Sequence, residues 1–328
     1  MTKRTIAIVT PILNDWESFG FLIRDIAALK ALAGDRVILV AVDDGSTAID
    51  PPHQDALTGC LEAIHVISLK ANQGHQRAIA LGLAYVERNV SADIVIVMDS
   101  DGEDTPDSLA DLVEAHESHP EKMIVAQRAQ RSESVSFRLF YQIYKFVFFL
   151  LTGKAISFGN FCLAPKARLS NLLYNAGVWN NIAATMLKSR VPIHFVPTNR
   201  GTRYSGESKM NFTSLMIHGF SAISVFTDVV IGRIITFLVG ASTFVIGCVI
   251  GVVGLKLFTS VFVPGYATYV ILFLVTMLAI TLFTGFLMIL SLLATREQAA
   301  SLPSRLIDDL VDEVGIVSRS SVINSVAS

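Results

Sequence analysis

The sequence predicts an α/β domain with a doubly wound, mostly parallel sheet, followed by two helices that cross a membrane. Short apolar runs rich in β-branched residues at 5–10, 36–42 and 93–98 are typical of buried strands, and segments of helical length separate them. A strand, helix, strand order of this kind opens a doubly wound sheet. Near the C-terminus, the stretches 234–255 and 257–295 contain no Asp, Glu, Lys or Arg.

The two uncharged stretches predict transmembrane helices at about 232–255 and 268–294. Each supplies the roughly 20 apolar residues that one bilayer-spanning helix needs, whereas buried helices of a soluble core rarely stay uncharged for so long. The basic residues near the spans are Arg233 before the first, Lys256 between them, and Arg296 and Arg305 after the second. Because basic residues favour the cytoplasmic side, both ends are expected in the cytosol.

Composition excludes several classes of protein. A formal net charge of −2 over 328 residues gives no electrostatic case for binding nucleic acid. The first apolar stretch ends at Asn14 and Asp15, too early for a signal peptide. Cys60, Cys162 and Cys248 are scattered and indicate neither a disulfide framework nor a zinc site.

Acidic residues follow the strand at 93–98 and predict a metal site. Asp99 and Asp101 flank the small Ser100, so both carboxylates could face one ion at the carboxyl end of the strand. Carboxylates suit Mg²⁺ or Mn²⁺, which take remaining ligands from substrate phosphates, and this points to a nucleotide diphosphate. The alternative is a solvated acidic loop before the helix that begins near Asp107.

Two other strand ends carry polar residues. Asp43 and Asp44 end the second strand and could bond a base or a ribose, although this motif taken alone favours a plain Asp-Gly turn. A third strand at 64–69 leads to the segment 72–77, where Gly74 permits close backbone approach to a phosphate or sugar. His75 and Arg77 are interpreted as side chains at the start of a helix that take no part in binding.

The rest of the domain is predicted from the same patterns. In order these are a helix at 106–118, a strand at 123–126, Arg128 and Arg131 after it, an aromatic helix at 136–151, a strand at 157–164, helical segments at 166–189, and a strand at 192–197. The aromatic helix is interpreted as interfacial, lying at headgroup depth, with a core helix as the alternative.

A basic loop, 200–209, precedes an amphipathic stretch at 212–231. Its two arginines, its lysine and its hydroxyl side chains suit two phosphate groups, and the alternative is a juxtamembrane segment attracted to anionic lipid. After the second span the chain is Ser-rich, with a helix expected around 304–314. The glycines at 240, 247, 251 and 254 favour helix packing, within the chain or in a homo-oligomer.

The motifs together resemble the family 2 glycosyltransferases of GT-A fold. The matching set is Pro11-x-x-Asn14-Asp15, Val42-Asp43-Asp44-Gly45-Ser46, Asn72-x-Gly74, Asp99-x-Asp101-x-x-Asp104 and Arg203-x-x-Gly206-x-Ser208-Lys209. With the two-helix anchor, the resemblance is closer to the polyprenyl-phosphate glycosyltransferases, such as dolichyl-phosphate mannose synthase and the bactoprenol glucosyltransferases.

The resemblance implies roles for these residues. The nucleoside would be contacted by Pro11, Asp15, Asp43, Asp44 and Asn72. The pyrophosphate and a Mg²⁺ or Mn²⁺ ion would be held by Asp99, Asp101 and Glu103. Donor or acceptor phosphates would be contacted by Arg128, Arg131, Arg203, Ser208 and Lys209. Among these, the groups expected to act in catalysis are Asp99, Asp101, Arg203 and Lys209.

The sequence also departs from the family pattern. Leu13 replaces a tyrosine, Gly102-Glu103 replaces Leu-Gln, and Ala164-Pro165 stand where many relatives carry a carboxylate. These departures leave two alternatives open. One is a glycosyltransferase with another lipid or glycan as acceptor, and the other is a membrane-tethered binding or scaffold protein with a degenerate site.

The implied function is inverting transfer of one sugar, preferably from a UDP-sugar like UDP-glucose, to a polyprenyl phosphate such as undecaprenyl phosphate. The protein is expected in the bacterial cytoplasmic membrane as a multi-pass protein. The expected organisation is a cytosolic GT-A domain at 1–210, a juxtamembrane helix at 211–231, two spans within 232–295 and a cytosolic tail at 296–328. The expected partners are the nucleotide sugar, the polyprenyl phosphate and the bilayer.

Overall fold

The computed structural model describes residues 3–128, 135–205, 212–259, 265–297 and 301–319. The chain divides into two compact units. The first, here called the sheet domain, comprises Met1–Phe149, Lys154–Val225 and Ser301–Ser328. The second, the helical unit, comprises Leu150–Gly153 and Phe226–Ala300.

One mixed sheet of eight strands forms the centre of the sheet domain. The strands are β1 (Thr5–Ile12), β2 (Arg36–Asp43), β3 (Leu61–Leu69), β4 (Ile94–Val97), β5 (Met123–Arg128), β6 (Cys162–Pro165), β7 (Ile193–Thr198) and β8 (Val311–Ser318). Their spatial order is β7-β5-β6-β4-β1-β2-β3-β8. Strands β4, β1, β2 and β3 are parallel, as are β5 and β7, whereas β6 and β8 run antiparallel to their neighbours.

Helices follow the strands along the chain. They are α1 (Trp16–Ala28), α2 (His75–Asn89), α3 (Pro106–Ser118), α4 (Val135–Thr152), α5 (Lys166–Leu173), α6 (Ile182–Ser189), α7 (Phe212–Ser224) and α10 (Pro303–Leu310). Helix α1 buries Phe19, Leu22 and Ile26 because they recur at helical spacing. On α2, a Cβ at Gly82 would lie 2.5 Å from a methyl of Val9, so glycine permits this close approach of helix to sheet.

The strand order creates a crevice between β1 and β4. From β1, the chain order continues through β2 and β3 on one side, while β4 lies on the other. Ligands of open α/β sheets bind where the order reverses, beyond the carboxyl ends of the strands. Since Ile12 pairs with Asp43 and Val9 with Val97, the polar residues after β1, β2 and β4 emerge at the same edge.

The helical unit contains two helices of 32 residues each, α8 (Thr227–Phe258) and α9 (Tyr266–Glu297). Within them, Thr227–Phe258 and Tyr266–Ala294 are long and apolar enough to cross a membrane, and they contain the predicted spans. Large apolar side chains such as Phe237, Phe244 and Phe283 are exposed. Such a surface indicates an apolar surrounding medium.

The structure corrects the sequence prediction at the C-terminus. The helix expected around 304–314 ends at Leu310, and Val311–Ser318 forms β8, which pairs antiparallel with β3. Lys70 N donates to the carbonyl of Leu310 at 3.0 Å, and Arg319 N donates to that of Glu62 at 3.1 Å. Residues 311–318, which were expected to belong to a tail, therefore form an edge strand of the sheet.

One further boundary differs from the prediction, and one predicted helix is observed. The strand expected at 157–164 is only Cys162–Pro165, because its pairing with β4 covers just four residues. The aromatic segment at 136–151 does form a helix, α4, in which Phe148 is fully buried while Phe146 and Phe149 are exposed.

Candidate active site

A cleft of about 1650 Å³ lies at the carboxyl edge of the sheet. Its walls are the loops after β1, β4 and β7, the start of α2, and side chains of α4 and α7. A site for one small molecule usually measures about 300–1,000 Å³, so the cleft has room for two ligands.

The acidic loop after β4 is held by its own hydrogen bonds. The N–H of Asp99 donates to the buried carboxylate of Asp104 at 3.1 Å, and the N–H of Glu103 donates to Asp101 Oδ1 at 2.9 Å. Thr105 caps α3, because its hydroxyl oxygen accepts from the N–H of Ser108 at 3.2 Å. These bonds leave Asp99 and Asp101 on the wall of the cleft.

The segment after β7 lies across this acidic loop. The N–H of Gly201 donates to the carbonyl of Glu103 at 2.9 Å, and the N–H of Tyr204 donates to that of Asp101 at 2.8 Å. Gly102 has φ of +87°, and a Cβ there would lie 2.8 Å from the ring of Tyr204. The glycine that departs from the family pattern therefore provides the space in which this ring packs.

Charged groups from three loops meet at Arg203. Its guanidinium lies 2.9 Å from Asp101, 3.8 Å from Asp15 and 4.0 Å from Glu103, and Glu103 also pairs with Arg200. Burial raises the pKa of Asp101, the neighbouring charges of Glu103 and Asp15 raise it further, and Arg203 opposes them. This part of the cleft therefore favours the binding of a positively charged group.

The donor set fits a divalent cation held together with phosphates. Within the described residues, no three His, Cys, Asp or Glu side chains are arranged to surround a metal ion. Asp99 and Asp101 both line the cleft, and Mg²⁺ commonly takes one or two carboxylates plus substrate phosphates. Glu103 lines the cleft as well, with its carboxylate directed to arginines.

The residues predicted to bind the nucleotide separate into two groups. Pro11, Asp15 and Asp99 line the cleft, whereas Asp43, Asp44 and Asn72 are not part of its lining. The buried carboxylate of Asp44 accepts from the N–H groups of Gln73 at 2.6 Å and Gly74 at 2.9 Å, and Asp43 Oδ1 accepts from the N–H of Ser46 at 3.1 Å. Burial raises the pKa of Asp44, and the two N–H donors oppose this shift. These two aspartates thus fix the loops that border the cleft.

Three of the predicted phosphate-binding residues, Arg131, Ser208 and Lys209, lie outside the described residues. The backbone of Arg128 ends β5, and its side chain is likewise outside the described part. Of the predicted cationic groups, the structure therefore places Arg203 in the cleft.

Sequence reasoning missed the neutral polar side chains of the cleft. Asn160, Asn181 and His218 line it but were not singled out, and His75 was interpreted as decoration of a helix entry. They come from four separate elements, so no local motif unites them. The indication available in the sequence was a polar side chain within an apolar segment, as at His218 in α7.

The other cleft walls are aromatic and aliphatic. On α4, Tyr144 packs against α7 where a Cβ at Gly219 would approach its ring to 2.8 Å, and burial raises the pKa of Tyr144. The guanidinium of Arg77 lies 5.9 Å from the ring centre of Trp179, which also lines the cleft. This wall suits a ligand with an apolar part.

Comparison with known proteins gives consistent matches. The model of glycosyl transferase family 2 matches residues 7–170. Undecaprenyl-phosphate 4-deoxy-4-formamido-L-arabinose transferases are similar over 65% of this chain: that of Klebsiella pneumoniae subsp. pneumoniae is 24% identical over 221 residues, and that of Salmonella paratyphi A is 26% identical over 220. The similarity spans 64% of the length of each relative.

Among solved structures, glucosyl-3-phosphoglycerate synthase from Mycobacterium tuberculosis in complex with Mn²⁺, UDP-glucose and phosphoglyceric acid matches with a TM-score of 0.47 and 18% identity. The match covers 69% of this chain and 79% of that one. The mixed α/β sheet with its crevice between β1 and β4, together with the family match, confirms the GT-A type of fold that the motifs implied. The chain belongs to glycosyl transferase family 2.

Proposed function

We propose that the protein transfers one sugar from a nucleotide sugar to a polyprenyl phosphate at a membrane surface. The observation that carries this proposal is the cleft in which Asp99 and Asp101 lie beside Arg203, at the carboxyl edge of the sheet. The names of the undecaprenyl-phosphate transferases that resemble this chain support a polyprenyl phosphate as acceptor.

The donor diphosphate would bind where the charged groups meet. Asp99 and Asp101 would hold Mg²⁺ or Mn²⁺, which when bound neutralises charge on the diphosphate. Arg203 would direct its guanidinium to the phosphates, since its planar group pairs well with phosphate oxygens. Asp15 and Pro11 would border the nucleoside, and a UDP-sugar such as UDP-glucose is our first choice of donor.

The acceptor would not need a general base from the protein. A phosphate monoester with a second pKa near 6 is largely dianionic at pH 7, so its oxygen is already nucleophilic. Ala164, the position at which many relatives carry a carboxylate, is buried in β6 opposite Val95. We infer a single displacement with inversion, in which the protein positions the reactants and stabilises the leaving diphosphate.

The membrane would hold the acceptor beside the domain that acts on it. The chain leaves the sheet domain at Val225, forms α8 and α9, and re-enters it at Ser301. Two crossings would return the chain to the same side, in agreement with the distribution of basic residues around the spans. We propose a multi-pass protein of the bacterial cytoplasmic membrane whose catalytic domain faces the cytosol.

The test uses the purified full chain in detergent with MgCl₂ or MnCl₂, undecaprenyl phosphate and radiolabelled UDP- and GDP-sugars. Label should move into organic solvent with one donor and should remain aqueous when EDTA is added. Nucleotide binding without extractable label from any donor would contradict the proposal, and would favour another acceptor or a scaffold role.

A further inference from the structure

Five polar side chains form two neighbouring hydrogen-bond chains in the cleft, beside Asp99. We call His75, Gln76, Asn160, Asn181 and His218 the amide–imidazole cluster, and all five line the cleft. His75 Nε2 lies 3.5 Å from Asp99 Oδ1, which places the cluster next to the proposed position of the diphosphate. Its chemistry differs from that of the charged groups around Arg203.

A backbone N–H fixes the direction of the first chain of hydrogen bonds. Ile182 N donates to Gln76 Oε1 at 2.9 Å, so Gln76 Nε2 faces Asn160 and donates to its Oδ1 at 3.0 Å. Asn160 Nδ2 is then directed to His75 Nε2 at 3.0 Å. Because an amide nitrogen can only donate, Nε2 of His75 accepts, and the proton of the neutral ring is assigned to Nδ1.

A second chain of hydrogen bonds repeats this arrangement. Ala184 N donates to Asn181 Oδ1 at 2.8 Å, which directs Asn181 Nδ2 to His218 Nε2 at 3.4 Å. The ring of His218 therefore also carries its proton on Nδ1. Both chains begin at N–H groups in the first turn of α6, so one helix terminus sets the polarity of both imidazoles.

The two imidazoles are thereby held neutral. A donor directed at Nε2 opposes protonation of that atom, and burial lowers the pKa of His218. Within the described residues, Nδ1 of neither ring has a hydrogen-bond partner. Each of these two cleft-lining histidines thus keeps its single N–H, on Nδ1, without a partner among the described residues.

Neutral donors and amide groups discriminate between ligand chemistries. A phosphate is bound most strongly by charged donors, whereas hydroxyl groups, which both donate and accept, are matched by amides and neutral imidazoles. The cluster therefore suits an uncharged, hydroxyl-bearing ring.

We propose that the amide–imidazole cluster is the subsite for the sugar ring of the donor, with His75 and His218 donating from Nδ1 to sugar hydroxyls, and that the sugar is uncharged. This inference rests on the proposed function. The sugar of a donor whose diphosphate lies at Asp99 and Asp101 would be one bond from the diphosphate, which agrees with the distance of 3.5 Å between His75 and Asp99.

The test measures binding by isothermal titration calorimetry on the full chain in detergent with MgCl₂. The probes are UDP, UDP-glucose, UDP-galactose and UDP-glucuronate, with GDP and GDP-mannose as a second set. The variants are His75→Ala and His218→Ala, with His53→Ala at an exposed histidine outside the cleft as the control. The quantity compared is the affinity of each nucleotide sugar divided by that of its own nucleoside diphosphate.

We expect this ratio to fall about three- to tenfold in each cleft variant, as for one lost hydrogen bond, with the diphosphate affinity unchanged. His53→Ala should keep the wild-type ratio, and UDP-glucuronate should bind more weakly than UDP-glucose. Ratios that stay constant, equal losses for UDP and UDP-glucose, or preferred binding of UDP-glucuronate would each overturn the inference. Wild-type protein that binds none of the nucleotides would instead overturn the proposed function, and the inference with it.

A second pair of variants tests the tautomer and guards against a folding defect. The amide nitrogen of His75→Asn can stand near the Nδ1 position of the imidazole, whereas that of His75→Gln reaches toward the Nε2 position. We expect His75→Asn to retain more of the sugar-dependent affinity than His75→Gln. The reverse order would contradict donation from Nδ1.

Discussion

The cleft has two parts that differ in chemistry: charged groups surround Arg203, and hydrogen-bonded neutral groups surround His75. Around Arg203, three carboxylates from two loops converge on one guanidinium, with distances between 2.9 and 4.0 Å. Around His75, the groups are neutral and are oriented by hydrogen bonds that start at the backbone of α6. Under the proposed function, the charged part would bind the leaving diphosphate, whereas the neutral part would orient and select the sugar.

We expect the largest effect from removing a carboxylate from the charged part of the cleft. Asp101→Asn should reduce turnover about 100-fold or more, because it removes a carboxylate from the proposed cation site and a partner of Arg203. The measurement is transfer of radiolabel to lipid, with the membrane-bound fraction of the protein as the check on folding. Asp111→Asn, at an exposed position on α3, should keep wild-type turnover. If the Asp101→Asn enzyme were active, Asp101 would not be a ligand of the cation.

A smaller effect tests geometry separately from charge. Arg203→Lys keeps the positive charge but loses the planar pair of donors, so turnover should fall about 10- to 100-fold, as for a lost charged hydrogen bond. The same assay measures it. The matched control is Arg88→Lys, since Arg88 forms an exposed ion pair with Asp308 at 2.8 Å and such pairs contribute little. Equal turnover of Arg203→Lys and wild type would show that charge alone suffices.

The packing of the segment that carries Arg203 against the acidic loop can be weakened without replacing a charged residue. In Gly102→Ala, the new Cβ would meet the ring of Tyr204 at 2.8 Å, and the φ of +87° would be strained. Strain of about 1–2 kcal/mol should speed tryptic cleavage after Arg200 and Arg203 about five- to thirtyfold. Mass spectrometry of the fragments measures the rate. Gly34→Ala, where a Cβ would meet nothing within 4 Å, is the control. Unchanged cleavage would mean that Tyr204 does not hold the segment.

We expect the smallest effect from a change in ionic strength, which should act on the charged part of the cleft and not on the neutral part. Raising ionic strength should weaken binding of the nucleoside diphosphate about two- to threefold, because salt screens the partly exposed charges around Arg203. The ratio between nucleotide-sugar and diphosphate affinity should not change, since the groups around His75 are neutral. Calorimetric titrations at low and high NaCl measure both quantities. A ratio that falls with salt would indicate charge in the sugar subsite.

The same contrast explains which parts of the site the sequence reveals. Acidic residues after a β-branched run are local, so Asp99 and Asp101 were found from the strand that precedes them. Asp43 and Asp44 were found in the same way, but their position at a strand end did not show that they bind backbone N–H groups. The neutral cluster is not local, because its hydrogen bonds join residues as far apart as Gln76 and Ile182.

The fold shows a parallel limit. Buried central strands such as β1 and β4 were recognisable because nearly every residue is apolar. Strand β8 is largely exposed and follows α10 without a loop, so its sequence resembles the continuation of a helix. Gly102 was interpreted as a departure from the family pattern, since only the position of Tyr204 explains it.

The position of β8 in the sequence, after the two apolar helices, has a consequence for synthesis of the protein. This strand covers the edge of β3, yet it is translated after both apolar helices. During synthesis, β3 therefore presents unpaired N–H and C=O groups until residues 311–318 have been translated, and open strand edges promote aggregation. A chain that stops before residue 311 would therefore leave this edge of the sheet open. The order of synthesis then acts as a quality check, because only a chain translated through β8 covers the edge of β3.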